Sequence, residues 1–259
     1  MSSAARSVAE AFVTARRERQ AISKFPGAVP ENLAAAYAVQ DAALSIWDRD
    51  VVGWKVGRIN APLDTQLGAD RLVGPILAGS IAEFAGTPVA MPVFHDGFAA
   101  AEAEFMLRLA VKDGAPLPTT NEDVFDWIDE VRIGIEIASS PYPGINDDGP
   151  CVTVADHGNN AGLLLGNMVD RASWGTLNDV VVSVASDGKE VGRATTATML
   201  DGPFGAARFL LANLAQRGIA PRSGWWISSG AITGVHEILP GAIVTARFEG
   251  LGEIQTLIA

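Results

Sequence analysis

Three glutamates in apolar company are the residues of this chain best placed to do chemistry. Glu102 and Glu104 stand in Ala101-Glu102-Ala103-Glu104-Phe105-Met106-Leu107, and Glu136 stands in Ile133-Gly134-Ile135-Glu136-Ile137. Both segments read as strands, in which successive side chains point to opposite faces. Glu102 and Glu104 then share one face, and Ala103, Phe105, Leu107 and Leu109 take the other. In the second segment Val131, Ile133, Ile135 and Ile137 form an apolar row opposite Arg132, Gly134, Glu136 and Ala138. If the two strands are neighbours, the three carboxylates meet around one hard cation. Magnesium or manganese prefers oxygen ligands, and three glutamates leave about three of an octahedron's six positions for water or substrate. The competing reading is a solvated strand face, where charged residues mostly lie.

Lys55 lies in Val51-Val52-Gly53-Trp54-Lys55-Val56-Gly57, an apolar run in which its stem is expected to be buried. Two readings stand: a lysine that snorkels to solvent, or a cation aimed into a cleft to hold a substrate carboxylate or steady an enolate. Two polar loops, Asp156 to Asn160 and Ser229 to Thr233, offer backbone amides and short polar side chains beside strands. Such loops orient small ligands, and Asn-rich turns also occur without function. Asp156 and His157 are the candidates for moving protons; His157 reads equally as a turn residue. Asn159, Asn160, Ser229 and Thr233 are the candidates for holding substrate. Cys151 opens the β-rich run Cys151-Val152-Thr153-Val154 and reads as a buried structural thiol rather than a nucleophile.

These residues need elements to position them. A helix is expected from about Ser3 to Ile22, with Val8, Ala11, Phe12 and Ala15 on one face, and a second one from about Pro30-Glu31, since proline suits a first helical position. Leu33, Tyr37, Gln40, Leu44 and Trp47 follow its spacing; the two helices either pack on the rest of the chain or build an oligomer interface. From Val51 the pattern turns to β. Residues 62–92 read as loop-rich. Thr119-Thr120-Asn121-Glu122 reads as a helix start, with Val124, Ile128 and Val131 on one face. Val180 to Ala185 and the strand after Asp187-Gly188 read as a hairpin. Pro203 to Arg217 reads as a helix stopped by Gly218. Strands at Trp225 to Gly230 and Ile243 to Phe248 close the chain. A boundary is expected near residue 50, dividing an N-terminal helical region, 1–50, from a catalytic domain, 51–259.

Composition limits the partners. Apolar residues make up 48% of the 259, with mean hydropathy +0.21, so a large core is available. The net charge of -11 disfavours nucleic acid and anionic membranes, which need a cationic surface. A single cysteine rules out an intrachain disulfide, and the N-terminus, with Arg6, Glu10, Arg16, Arg17, Glu18 and Arg19, lacks an apolar run. The expectation is a cytoplasmic protein with neither signal peptide nor membrane span.

Several motifs occur in an order that carries a likeness. They are Ala36-Tyr37-Ala38-Val39-Gln40-Asp41-Ala42, Gly53-Trp54-Lys55-Val56-Gly57, Glu102-Ala103-Glu104-Phe105, Ile133-Gly134-Ile135-Glu136-Ile137, Ser229-Gly230-Ala231-Ile232-Thr233-Gly234, and the ending from Gly241 to Gly252. Together they resemble the 2-keto-4-pentenoate hydratase and 2-oxo-hexenedioate decarboxylase family, within the fumarylacetoacetate hydrolase superfamily. The resemblance runs from about Leu33 to the C-terminus. It implies an α+β fold, a mixed β-sheet roll with a small N-terminal helical region; a homo-oligomer acting on a small-molecule substrate is the separate expectation for its partners. It implies Mg2+ or Mn2+ held by Glu102, Glu104 and Glu136, with Lys55 near the substrate carboxylate. The implied substrates are 2-hydroxydienoates and 2-oxo acids from the meta-cleavage of aromatic rings. Hydration of a 2-hydroxy-2,4-dienoate to a 4-hydroxy-2-oxo acid is the leading expectation. Decarboxylation of a 2-oxo-hex-3-enedioate, hydrolysis of an acylpyruvate and a catalytically silent binding protein are the alternatives. The chain departs from the family where Asp-Asn-Ala-Ser is usual, having Asp156-His157-Gly158-Asn159, and after Gly74, where Pro75 to Ser80 replaces an acidic loop. Both stretches are expected at the substrate end of the pocket.

Overall fold

A computed structural model describes residues 2–112 and 114–259. Two helices open the chain, α1 (Ser3–Glu18) and α2 (Leu33–Ile46). Strand β1 (Val51–Arg58) follows, then helix α3 (Leu63–Leu67) and strands β2 (Arg71–Leu77), β3 (Ile81–Glu83), β4 (Val89–Met91) and β5 (Phe98–Leu109). Helix α4 (Asn121–Val124) leads through a 3-10 turn into β6 (Ile128–Ser140). Helix α5 (Pro150–Ala155), strand β7 (Asn160–Met168) and the hairpin β8 (Val181–Ser186) and β9 (Lys189–Thr195) come next. Helix α6 (Gly202–Gln216) precedes β10 (Trp226–Ser228), β11 (His236–Glu237), β12 (Ile243–Phe248) and β13 (Gly252–Ile258).

The strands form two mixed sheets. The larger runs β2-β1-β10-β5-β6-β7-β3, with β11 also on β5, and the smaller runs β4-β13-β12-β8-β9. The larger sheet curls until β2 lies against β7, which gives the roll that the motifs imply. One face of this sheet carries Trp54, Phe105, Leu107, Ile133 and Ile135 into the main core, against Val184 and Phe248 of the smaller sheet and Leu210 and Leu214 of α6. Each such side chain contributes about 1.5–3 kcal/mol by leaving water. The opposite face is buried as well. It holds the glutamates and, further along the strands, an apolar plug of Ile76, Met106, Leu163, Leu165 and Trp226. Helices α1 and α2 share a buried cluster, including Phe12, Val39, Phe98, Ala138 and Val152, with β5, β6 and α5.

The helix starts differ from expectation by a few residues for local reasons. Ser2 caps α1 by accepting from the Ala5 amide at 3.1 Å, and the helix ends at Glu18 because Arg19 turns left-handed, with φ 54°. Asn32, not Pro30, opens α2, accepting from the Ala35 amide at 2.9 Å. The Asp187-Gly188 hairpin forms as expected.

Three expectations are corrected. The helix expected after Thr119 lasts one turn, although Thr120 and Asp123 form a full capping box. Ile128 and Val131 pair instead with Leu109 and Leu107 of β5, so sheet burial overrides the local signal. Cys151 to Val154 is helical rather than extended, because Pro150 at the first position starts α5 and these side chains pack inward. Residues 62–92 contain β2, β3 and β4, whose pairings lie with distant strands.

One glycine sets how closely the roll closes. Gly74 on β2 faces the turn after α5, where a Cβ would lie 2.1 Å from the His157 carbonyl oxygen and 2.6 Å from the Gly158 Cα. Backbone cannot yield as a flexible side chain does. Gly74→Ala is expected to destabilise the fold by about 3 kcal/mol or more, at or beyond the upper end for overpacking. Urea unfolding monitored by circular dichroism checks it, and a loss under about 1 kcal/mol would contradict the close approach.

Candidate active site

The register of β5 and β6 explains how three glutamates meet. Glu102 lies directly opposite Glu136, and Glu104, two residues along, lies opposite Gly134. All three project to one face, and one carboxylate oxygen of each lies within 4.8 Å of the others. They are buried, at 6%, 0% and 0% exposure, so the solvated-face reading is excluded. Lys55 reaches the same place from β1, which pairs in parallel with β10. Its ammonium stands 3.2 Å from Glu136 Oε2. Ser228 of β10, opposite Lys55 in register, donates through its hydroxyl to Glu104 Oε2, and the Gly230 amide donates to the same oxygen at 2.8 Å. Asn160 Nδ2 donates to Glu136 Oε1 at 2.8 Å.

The electrostatics are those of an incomplete cluster. Burial raises the Glu102 pKa, Lys55 opposes the rise and Glu136 adds to it, leaving the group pushed up to about 7. Burial, then Glu136 and Glu102, hold Glu104 well above the usual carboxylate range. Burial would lower the Lys55 pKa, but Glu136, Glu102 and Glu104 outweigh it and keep the lysine above its ordinary value. Three carboxylates beside one ammonium leave two negative charges uncompensated if all ionise. Glu104 Oε1 is buried with no hydrogen-bond partner among the described residues. Ligand oxygens sit about 2.0–2.6 Å from magnesium or calcium, so two on one ion are at most about 5 Å apart. The donor set, the spacing and the charge deficit therefore fit a divalent cation.

A cavity of about 650 Å³ opens over this cluster, with Lys55, Glu102, Asn159, Ser229 and Thr233 in its wall. Asn159 Oδ1 and Ser229 Oγ are buried there without partners among the described residues. Thr233 Oγ1 lies 2.9 Å from His236 Nε2. Arg58 also lines the cavity and makes no ion pair among the described residues.

The remaining candidates lie elsewhere. Asp156 is fully buried outside the cavity wall, held by Arg16 at 2.5 and 2.8 Å and by the Ser140 hydroxyl at 2.6 Å. Burial would raise its pKa, but Arg16 outweighs that and keeps it well below the usual carboxylate range. Asn160 contacts Glu136 rather than the cavity. His157 and Asn160 line a separate cleft of about 120 Å³, together with Arg16, Trp47 and Pro75 to Ser80 residues. Of the two departing stretches, only Gly158 and Asn159 line the larger cavity.

His157 is held neutral. Trp47 Nε1 donates to its Nε2 at 2.7 Å, while Nδ1 lies 3.3 Å from Asp156 Oδ1. Only the tautomer protonated at Nδ1 serves both contacts. Burial lowers its pKa, and the Arg16 charge adds to this against the pull of Asp156. Protonating Nε2 would set it against the Trp47 N–H. The ring is expected to titrate below about 6.5, the ordinary histidine value. Trp47→Phe, which removes the opposing donor, is expected to move the midpoint up. Ring NMR across pH 4.5–8 reads both, and a wild-type midpoint above the ordinary value would contradict the assignment.

Sequence reasoning missed Ser228, Arg16 and Trp47 as supports. Arg16 carried a usable signal, since it stands one turn after Phe12 on the buried face of α1. The partners of Ser228 depend on a parallel pairing that no local pattern marks.

No family model matches the chain. It is 25% identical over 229 residues to 2-keto-4-pentenoate hydratase of Paraburkholderia xenovorans (strain LB400), covering 87% of this chain and 83% of that one. It is 26% identical over 208 residues to 4-oxalocrotonate decarboxylase of Pseudomonas putida, covering 79% and 76%. In fold it matches the 4-oxalocrotonate decarboxylase of Pseudomonas putida G7, solved in complex with magnesium and adipate, with a TM-score of 0.83 at 23% identity over 98% and 97% of the two chains. No helix of the described residues is long and apolar enough to cross a membrane. The chain is thus similar in sequence to 2-keto-4-pentenoate hydratases and 4-oxalocrotonate decarboxylases, and it shares the fold of the solved decarboxylase.

Proposed function

We propose that this protein is a divalent-metal-dependent hydro-lyase that adds water to a 2-hydroxy-2,4-dienoate, of the 2-hydroxypenta-2,4-dienoate type, giving a 4-hydroxy-2-oxo acid. The carrying observation is the convergence of Glu102, Glu104 and Glu136 within 4.8 Å, next to the Lys55 ammonium and beside a cavity that Glu102 and Lys55 line. The three glutamates are the ligands for Mg2+ or Mn2+. Bound there, the cation supplies Lewis-acid stabilisation of the charge that develops on the substrate's 2-oxygen.

The protein's own groups do the rest. Lys55 faces the substrate's 1-carboxylate and offsets its charge from a largely buried position, at 5% exposure. This local attraction is needed because the net charge of -11 repels an anion at long range. Ketonisation moves the enol proton to carbon 5 and leaves a conjugated 2-oxo-3-enoate. The oxygen of water then bonds to carbon 4, and a proton is added at carbon 3. The unpartnered Asn159 Oδ1 and Ser229 Oγ are suited to hold that water, one as an acceptor and one as donor and acceptor. Asp156 and His157, buried and engaged elsewhere, act on the shape of the site rather than as proton carriers.

Arg58 favours a second reading, decarboxylation of a 2-oxo-hex-3-enedioate. An unpaired guanidinium in the cavity wall is suited to a second substrate carboxylate. Both readings are tested by mixing purified protein and Mg2+ with 2-hydroxypenta-2,4-dienoate or with 2-oxo-hex-3-enedioate. Loss of dienol absorbance with formation of 4-hydroxy-2-oxopentanoate supports the hydratase. Release of carbon dioxide from the enedioate supports the decarboxylase. Turnover of neither, or turnover that survives Glu104→Gln, would overturn the metal-lyase reading.

A further inference from the structure

We propose that Arg16, on the N-terminal helix, is a positioning residue for the carboxylate centre, acting through the turn that follows α5; the inference rests on the metal reading above. Arg16 is 140 residues from Asp156 in sequence, yet its side chain is only 9% exposed and grips that carboxylate side-on through Nε and Nη2. The same group donates to the carbonyls of Asn160 and Ser139, each at 3.1 Å. It therefore ties together the start of β7 and the end of β6.

Those two points flank an irregularity that aims a side chain at the centre. Glu136 pairs with Leu163 and Ile137 with Gly162, but Ala138 pairs with Asn160, so the register skips one residue of β7. Such a bulge redirects the side chains beside it. Here it sends the Asn160 amide to Glu136 Oε1 at 2.8 Å. The approach to the bulge is strained as well. His157, Gly158 and Asn159 have φ of 59°, 65° and 66°, three successive residues in the left-handed region. For a residue with a side chain this costs about 1–2 kcal/mol. Strained backbone persists when its surroundings over-determine it, and it clusters at functional sites. The turn is clamped at its ends by Arg16 and at His157 by Trp47 of the second helical segment. Its middle presents Asn159 to the cavity.

A helix-docking role alone does not account for this arrangement. Helix α1 already buries Val8, Phe12 and Val13 in a shared apolar cluster. Lysine at position 16 would keep a charge for Asp156 but lose the fork that spans two strands. Residues that orient metal ligands carry about 10–100-fold in metal affinity or activity.

The experiment is Mn2+ titration of full-length protein by calorimetry and electron paramagnetic resonance, alongside thermal unfolding of each metal-free protein. Arg16→Lys and Asn160→Ala are each expected to weaken Mn2+ binding about 10–100-fold. Because they act along one route, the double variant should be little weaker than the weaker single variant. Asp156→Asn, which loosens the clamp from its other side, is read in the same way should Arg16→Lys fail to fold. Wild-type Mn2+ affinity in folded Arg16→Lys, or losses that multiply in the double variant, would overturn the role of Arg16 while leaving the metal reading intact. Absence of Mn2+ binding by the wild type would overturn both.

Discussion

Glu104→Gln is expected to make the metal-free protein more stable and the enzyme inactive. Glu104 is fully buried beside two other carboxylates, and its Oε1 has no partner. Glutamine keeps the volume. Its carbonyl can accept from the Ser228 hydroxyl and the Gly230 amide, as Glu104 Oε2 does. Its NH2 then takes the orphan position and donates toward the neighbouring carboxylates, which Glu104 itself can do only when protonated. A gain of about 1 kcal/mol is the usual scale of one such hydrogen bond. In a chain of this size that raises the thermal midpoint by roughly 2–4 °C. The same change removes one of the three carboxylates proposed to hold the metal. Metal affinity and kcat/KM are expected to fall by more than the roughly 100-fold that an outer-shell partner carries. Scanning calorimetry without metal and Mn2+ titration read the two halves. A variant that is less stable, or that keeps wild-type metal affinity, would contradict the description of the cluster.

Lys55→Met is expected to lose activity with the opposite effect on stability. It leaves the three carboxylates without the ammonium 3.2 Å from Glu136. Removing one member of a buried ion pair costs about 3–5 kcal/mol. Proton uptake by the cluster, in which Glu102 is already pushed up to about 7, recovers part of that. A fall of roughly 5–10 °C in the midpoint of the metal-free protein is expected. Added Mn2+ should restore most of it, because the three ligands remain and a competing cation is gone. The rate, kcat/KM on a 2-hydroxydienoate, is expected to fall about 10²–10³-fold, the scale for removing one preorganised electrostatic contact. The two variants thus separate: Mn2+ binds Lys55→Met at least as tightly as wild type and fails to bind Glu104→Gln. Equal loss of metal binding in both would contradict the division of labour between the lysine and the carboxylates.

The glutamates were legible because alternation along two strands is a short-range property. Ala103, Phe105, Ile133 and Ile135 mark one face, so Glu102, Glu104 and Glu136 must take the other. That their strands are neighbours needed the likeness of ordered motifs, since Glu102 and Glu136 are paired by a long return through residues 110–127. Lys55 was legible as a buried stem, but its neighbour Ser228 was not, because a parallel pairing of β1 with β10 has no turn to announce it. The same limit hid β2, β3 and β4, whose hydrogen bonds are made with strands far along the chain. Cys151 to Val154 misled through its β-branched residues, where Pro150 and inward packing decided for a helix. Asp156 and His157 were singled out from the loop that reaches the cavity, but they lie outside its wall. Their neighbours Gly158 and Asn159 reach the cavity, while Asp156 turns to Arg16 and His157 to Trp47. A left-handed turn reverses which residues face inward, and residue types alone do not reveal it.

Glu102, Glu104 and Glu136 are proposed to hold one divalent cation jointly. Anomalous diffraction from crystals of the protein grown with Mn2+ tests it most directly. The expected result is one strong peak per chain, about 2.0–2.6 Å from an oxygen of each of the three glutamates, absent from crystals of Glu104→Gln grown in the same way. A peak that contacts fewer than three of them, or no peak over the cluster at saturating Mn2+, would contradict the account.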